Sequence, residues 1–234
     1  MAAGNSSQEA MAQECMRQLM HALQERATNL ARDIHPQRIQ ALLPNFDDLL
    51  MQGIDSPRMV RMSFLLADYY DVQWPSVMFL RSKVNRISLL AAPILKRVFA
   101  AAALYINRGS VRRCIARDDR RALIGLVGEP AYAGIRDAPE IKGLQLIAPI
   151  KNFQADLWAN QGFELLQASS HSMSAKSSKI AQLILTPNVA KEKTSIANSP
   201  SVCDDLVEFI DKLDIFFPEQ AWLFGLDMDQ VLSA

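Results

Sequence analysis

The sequence predicts a mainly α protein, an irregular bundle of short helices with room for a small β element in its C-terminal half. Three observations carry this. Prolines recur where helices begin, apolar residues between them repeat at three- and four-residue spacing, and only nine glycines and eleven prolines punctuate a chain that is half hydrophobic. The 234 residues suffice to bury a full core. We assign residues 1–140 to a helical region with core and basic surface, and 141–234 to a mixed region with a serine-rich loop at 169–178, together one integrated globular unit.

Ser6-Ser7-Gln8-Glu9 fits a capping box, and Met11, Cys15, Leu19, Ala22, Arg26 and Leu30 share one stripe of the first helix, apolar apart from Arg26. Pro36 and Pro44 bracket a short helix. Ser56-Pro57 opens another to about Tyr70, apolar nearly all round through Val60, Met62, Phe64, Leu65 and Leu66, which places it at the centre of the core. Trp74-Pro75 opens a helix with Val77, Leu80, Val84, Ile87 and Ala91 on one face and Arg81, Lys83 and Arg86 away from it. Pro93 restarts the chain for a helix from Ile94 to Ile106, and Gly109-Ser110 ends that run.

In VRRCIARDDRRALIGLVG (111–128), Asp118 caps a helix from Asp119 to Val127, with Leu123, Leu126 and Val127 inward and Gly128 as terminator. Arg113, Arg117 and Arg120 recur at helical spacing as an exposed stripe. Glu129-Pro130 starts a short helix that ends near Asp137. GLQLIAPI (143–150) fits either a buried strand or a helix fragment, and residues 151–168 are helical in pattern. SSHSMSAKSS, six serines in ten residues, is a loop or linker, and KIAQLILTPN is a candidate strand. The last strong helix starts at Ser199-Pro200, with Leu206, Ile210, Leu213 and Phe217 inward and Asp204, Asp205, Glu208 and Asp211 outward. It leads into FFPEQAWLFG (216–225), whose Trp222, Phe216 and Phe217 either close the core or anchor a partner, core being favoured.

The formal net charge is zero, yet residues 81–121 hold eleven Lys/Arg against two Asp, and residues 203–234 hold eight Asp/Glu against Lys212. Two patches of opposite sign imply two contact surfaces, or one patch satisfied by the other. A mean hydropathy of +0.02 leaves apolar surface for partners. Pro93, Lys96 and Arg97 interrupt the most apolar run and argue against a membrane span. The amino terminus has no basic start followed by an apolar run, so no export is expected.

No catalytic residue, cofactor or metal is expected. The Asp pairs 47/48, 118/119 and 204/205 sit near helix starts and read as caps rather than acid/base dyads. Cys15, Cys114 and Cys203 are too far apart for a metal or redox motif, and His21, His35 and His171 are isolated. No phosphate-binding loop or nucleophile elbow is present. A helical DNA-binding regulator using the basic segment 108–127 is the alternative function. Single-strand binding is disfavoured because no Phe, Tyr or Trp lies between Tyr105 and Tyr132 to stack on bases. Helix-turn-helix recognition of a duplex stays open, since two short helices join near Ala116 to Asp119, but Asp118-Asp119 would meet the phosphate backbone.

The basic helix RSKVNRISLLAAPILKRVF, then R-x-L-x-x-L-x-G-E-x-A-Y (Arg121 to Tyr132), I-R-D-A-P (Ile135 to Pro139) and a late P-E-Q-A-W-L-F-G resemble the SctK family, the YscK-type accessory proteins of bacterial type III secretion. The resemblance covers residues 60–139 and 200–226; the serine-rich insertion and the long amino-terminal helix depart from it. It implies a mainly helical cytoplasmic adaptor of the injectisome sorting platform, without catalytic residues, at the cytoplasmic face of the inner membrane. Its partners would be the cytoplasmic domain of the inner-membrane ring and the C-ring-like pod protein. No nucleic acid is expected, and contact with the membrane would be through partners only. On this reading Arg112, Arg113, Arg117 and Arg120 form one contact surface. Phe216, Trp222 and Phe224 beside the acidic helix form the other.

Overall fold

The structure is a computed structural model that describes residues 3–44, 56–139, 150–169, 172–187 and 200–226. Among these, all regular structure is helical. The helices are α1 (Ala3–Asp33), α2 (Pro36–Gln40), α3 (Ser56–Tyr69), α4 (Lys83–Arg86), α5 (Ala92–Ile106), α6 (Arg108–Arg113), α7 (Arg117–Val127), α8 (Glu129–Asp137), α9 (Ala155–Ala168), α10 (Ala175–Ile184), α11 (Pro200–Asp211), α12 (Leu213–Phe216) and α13 (Ala221–Phe224). Short 3-10 turns lie at Phe79–Arg81, Ile87–Leu89 and Pro218–Gln220.

Proline sets most of the starts. Its fixed φ suits the first turn, where the missing N–H would be unpaired anyway, and Pro36, Pro93 and Pro130 sit there in α2, α5 and α8. Pro57 and Pro200 likewise lie at the beginnings of α3 and α11. Two ends are set by backbone with positive φ. Asp71 (φ 50) closes α3: its N–H donates to Asp68 O at 3.0 Å and that of Val72 to Ala67 O at 2.8 Å, a Schellman arrangement. Gly128, at φ 89 and ψ 157, ends α7 in a conformation that side chains avoid, and a Cβ there would overlap the Arg97 guanidinium.

The core centres on α5. Every residue from Val98 to Ile106 is buried, because the run Ala100–Ala103 is small enough to let neighbours approach from all sides. The main neighbour is α9, with α11, α7 and α8 also packed on α5. At the α5–α9 crossing, Gly162 lies so close to Phe99 that an added Cβ would overlap the Phe99 carbonyl oxygen. Next to it the Phe99 and Phe163 rings meet edge to face, centroids 5.4 Å apart. A second, smaller core joins Leu30 and Ala31 of α1, Ile34 just beyond it, Ile39 of α2, Met59, Leu66 and Ala67 of α3, and Leu183 of α10. Buried Ser63 of α3 bridges to α1 by accepting from Ala31 N at 3.0 Å and donating to Thr28 O at 2.8 Å.

Several expectations are corrected. α3 is peripheral: α1 is its main packing partner, so Phe64 and Leu65 stay 51% and 65% exposed, and α5 takes the central place. The candidate strand KIAQLILTPN is mostly α10, which begins five residues earlier than its apolar run because the Ser174 hydroxyl caps it, accepting from Ser177 N at 3.3 Å. The serine run is thus a linker only in part: Ser177 and Ser178 are buried in the first turn of α10. α1 is already helical at Ala3, so Ser6 lies inside it rather than at its cap. Trp74-Pro75 opens no helix until the turn at Phe79. Gly109-Ser110 falls inside α6, since the α5 run ends instead at Asn107. α7 starts at Arg117 with Ala116 at its cap, leaving Asp118 and Asp119 in the first turn at the positive end of the dipole. GLQLIAPI, apart from Ile150, and Asp47-Asp48 lie outside the described residues.

Gly162 and Gly125, both inside helices, give opposite expectations. Gly162→Ala should cost about 2–3 kcal/mol by forcing α9 off α5, whereas Gly125→Ala, where a Cβ meets nothing within 4 Å, should gain about 0.5–1 kcal/mol. Urea unfolding of the two variants against wild type checks the contrast.

Candidate docking surface

Most of the basic segment is used inside the molecule. The last carbonyls of a helix have no intrahelical partner, and one basic side chain after another reaches them. Lys83 Nζ donates to Asp211 O at the end of α11 (2.7 Å), Arg97 Nη2 to Val127 O at the end of α7 (3.3 Å), and Arg112 Nε to Arg136 O near the end of α8 (2.7 Å). Arg120 Nε donates to Cys114 O just beyond α6 (3.2 Å). Each places positive charge at the negative end of a helix.

Two of these arginines are buried outright. Arg86, expected to face outward, is 1% exposed; it donates to Leu80 O (2.7 Å), Arg81 O (3.0 Å), Leu223 O (2.8 Å) and Leu226 O (3.1 Å), tying α13 to the turn before α4. Arg108 donates to Tyr105 O (2.9 Å), to Pro139 O and to Asp205 Oδ1 (2.6 Å), and lies 4.6 Å over the Tyr105 ring. Asp205, expected to face outward, therefore serves the interior. Beside it Tyr105 packs on Phe209 and Phe216, and burial, then the Glu208 carboxylate, pushes its hydroxyl up to about 12.

Further pairs join the basic segment to other elements: Lys96 with Asp156 (2.7 Å), Arg97 with Glu219 (3.3 Å) and Lys83 with Asp214 (3.4 Å). The two opposite patches thus partly satisfy each other. A third buried cation, Arg26, explains the polar break in the α1 stripe. It pairs with Asp33, whose other oxygen accepts from Ala92 N (3.3 Å) at the start of α5, while Arg26 Nε and Nη2 have no hydrogen-bond partner among the described residues.

The expected contact residues separate accordingly. Arg112 and Arg120 act as helix-end donors, and a bend at residues 114–116 divides the arginine stripe between α6 and α7. Arg113 and Arg117 are exposed and make no ion pair or hydrogen bond among the described residues. Phe216 and Phe224 are 3% and 0% exposed and belong to the core, so only Trp222, at 40%, can reach a partner. Sequence reasoning missed Ile115, 75% exposed between the two uncommitted arginines; the signal was an isolated apolar residue inside an arginine run. It also missed Ile215, 65% exposed beside Asp214. The duplex reading loses Arg108, which is buried, as a phosphate contact. Among the described residues no cluster of three or more His, Cys, Asp or Glu could hold a metal ion, and no helix is long and apolar enough to cross a membrane.

The model of a bacterial type III secretion protein family, HrpB4, matches residues 54–219. The chain belongs to the HrpB4 family. The expected kinship with type III secretion accessory proteins is thereby borne out. The family region of this HrpB4 protein runs from α3 to the turn before α13 and contains the whole basic segment; α1, α2 and Trp222 lie outside it. Comparison with curated proteins gives no match, and comparison with solved structures gives none either.

Asp33→Ala should cost about 3–5 kcal/mol because it leaves the Arg26 charge buried without its carboxylate. Arg26→Met, which removes the charge and keeps the bulk, should cost clearly less; chemical denaturation of both variants reads the difference. His35 supplies a pH test. Its Nδ1 caps α2 by accepting from Gln37 N (3.4 Å), and burial, then Lys96, holds its pKa below the usual 6.5 against the pull of Asp156. A lowered imidazole pKa means the unfolded chain takes up the proton first, so stability is intact above pH 6.5 and falls as pH drops below it. His35→Asn, which can keep the cap, should flatten that part of a melting-temperature profile between pH 7 and 5.

Proposed function

We propose that this protein is a non-enzymatic cytoplasmic adaptor of the type III secretion sorting platform, linking the cytoplasmic domain of the inner-membrane ring to the C-ring-like pod protein. The HrpB4 family match carries the secretion role. The bridging role is supported by what remains exposed once internal pairs are set aside. One surface carries Arg113, Ile115 and Arg117; the other carries Asp204, Asp211, Ile215 and Trp222. Each combines uncovered apolar side chains with charge mainly of one sign, Asp118 being the exception beside Arg117, the composition of a contact with an oppositely charged protein. Its place at the inner face of the membrane would come through these partners.

Bridging is directly measurable. Immobilised ring domain should retain pod protein only when the chain is added, and Trp222→Ala should weaken capture of one partner at least about fivefold without lowering the melting temperature. If the wild-type chain binds both partners separately but never together, or binds neither, the adaptor reading fails.

A further inference from the structure

The tip between α6 and α7 combines three features. Ile115 is the most exposed large apolar side chain among the described residues, at 75%. Arg113 and Arg117, on either side of it, are exposed and uncommitted, whereas the neighbouring Arg112 and Arg120 are spent on helix ends. The tip is also held rigidly. Cys114 is buried, its N–H donates to Val111 O (3.1 Å) and its Sγ lies 3.5 Å from Ser110 O, while its carbonyl accepts from Arg120 Nε (3.2 Å) and Ala116 O accepts from Arg120 N (3.1 Å). Both residues flanking Ile115 are therefore fixed, and little conformational freedom is left to lose on association.

On this basis, and resting on the adaptor reading, we infer that Ile115 is an apolar anchor for one partner protein, seated in a pocket rimmed by carboxylates that receive Arg113 and Arg117. Charge complementarity selects the occupant. Two free guanidinium groups beside one β-branched side chain form a discrete, directional contact, and Arg is suited to bidentate pairing with carboxylates. An anionic membrane is the less suited occupant. Surface attraction of that kind draws on clusters of four or more free basic residues. Here two of the arginines at the tip are bonded and Arg121 lies 3.9 Å from Asp118, which leaves too few free basic residues for such a cluster.

The test uses the purified full chain with purified pod protein and, separately, purified ring domain, by titration calorimetry at low and physiological salt. Ile115→Asp should weaken binding to one partner at least about tenfold and leave the other unchanged, while Ile115→Val stays within about twofold of wild type. Arg113→Gln combined with Arg117→Gln should weaken the same partner and flatten the salt dependence of its binding. Melting temperatures confirm folded variants, as expected at exposed positions. If folded Ile115→Asp binds both partners as tightly as wild type while bridging persists, the anchor is disproved and the adaptor reading stands. If wild type binds neither partner, both fall. Phosphatidylglycerol vesicle binding, or a sedimenting dimer, abolished by Ile115→Asp with both partners retained would assign the tip to lipid or to a second copy and overturn the inference.

Discussion

The carbonyl groups that helices leave unpaired at their C-terminal ends govern the rest of this structure. A fold made of many short helices has many such ends, and those of α5 at Tyr105 and α13 at Leu223 are buried. An unsatisfied buried carbonyl costs as much as a lost hydrogen bond, so each of these ends needs a donor from elsewhere in the chain. Residues 83–120 supply it. Arg86 and Arg108 can be buried because carbonyl oxygens surround their guanidinium groups, with Asp205 completing the second. What looks in sequence like a patch of positive charge is largely internal scaffolding, and the contact surface is the small remainder.

The α5–α9 crossing provides the frame on which those ends are arranged. Ala100–Ala103 and Gly162 bring the two helices together at the distance of backbone contact, which leaves the sides of α5 open to α7, α8 and α11. Lys96 and Arg97 near the start of α5 then reach Asp156 of α9 and Glu219, while Arg108 just beyond its end reaches Asp205 of α11. Polar ties at both ends of one buried helix fix the orientation of the elements that carry Ile115 and Trp222.

Much of this was legible in the sequence because proline and apolar spacing report local preference. The starts of α2, α3, α5, α8 and α11, the stop at Gly128 and the inward faces of α7 and α11 follow from residues within a few positions of one another. Most of the misread side chains depend on distant partners. Phe64 and Leu65 share a pattern with core residues, and only the one-sided cover of α3 leaves them exposed. Arg86 and Asp205 look like surface charges until the end of α13 closes over the first and buried Arg108 pairs with the second. The strand assigned to KIAQLILTPN failed because a short apolar run has no decisive period, and the cap at Ser174 lies upstream of it. Of the expected contact residues, Trp222, Arg113, Arg117 and Arg120 stand exposed, the last with its Nε bonded to Cys114 O, while Phe216 and Phe224 were drawn into the core.

The helix-end network also restricts how the sequence can drift. Arg86, Arg108, Arg112 and Arg120 each donate through Nε, a nitrogen set three carbons from the Cα, in addition to whatever their terminal nitrogens do. Lysine matches the charge and the length but has a methylene at that point. Exchange of arginine for lysine, ordinarily among the mildest of substitutions on a protein surface, would remove the Nε donor that serves a neighbouring helix end at Arg108, Arg112 and Arg120 and the turn before α4 at Arg86.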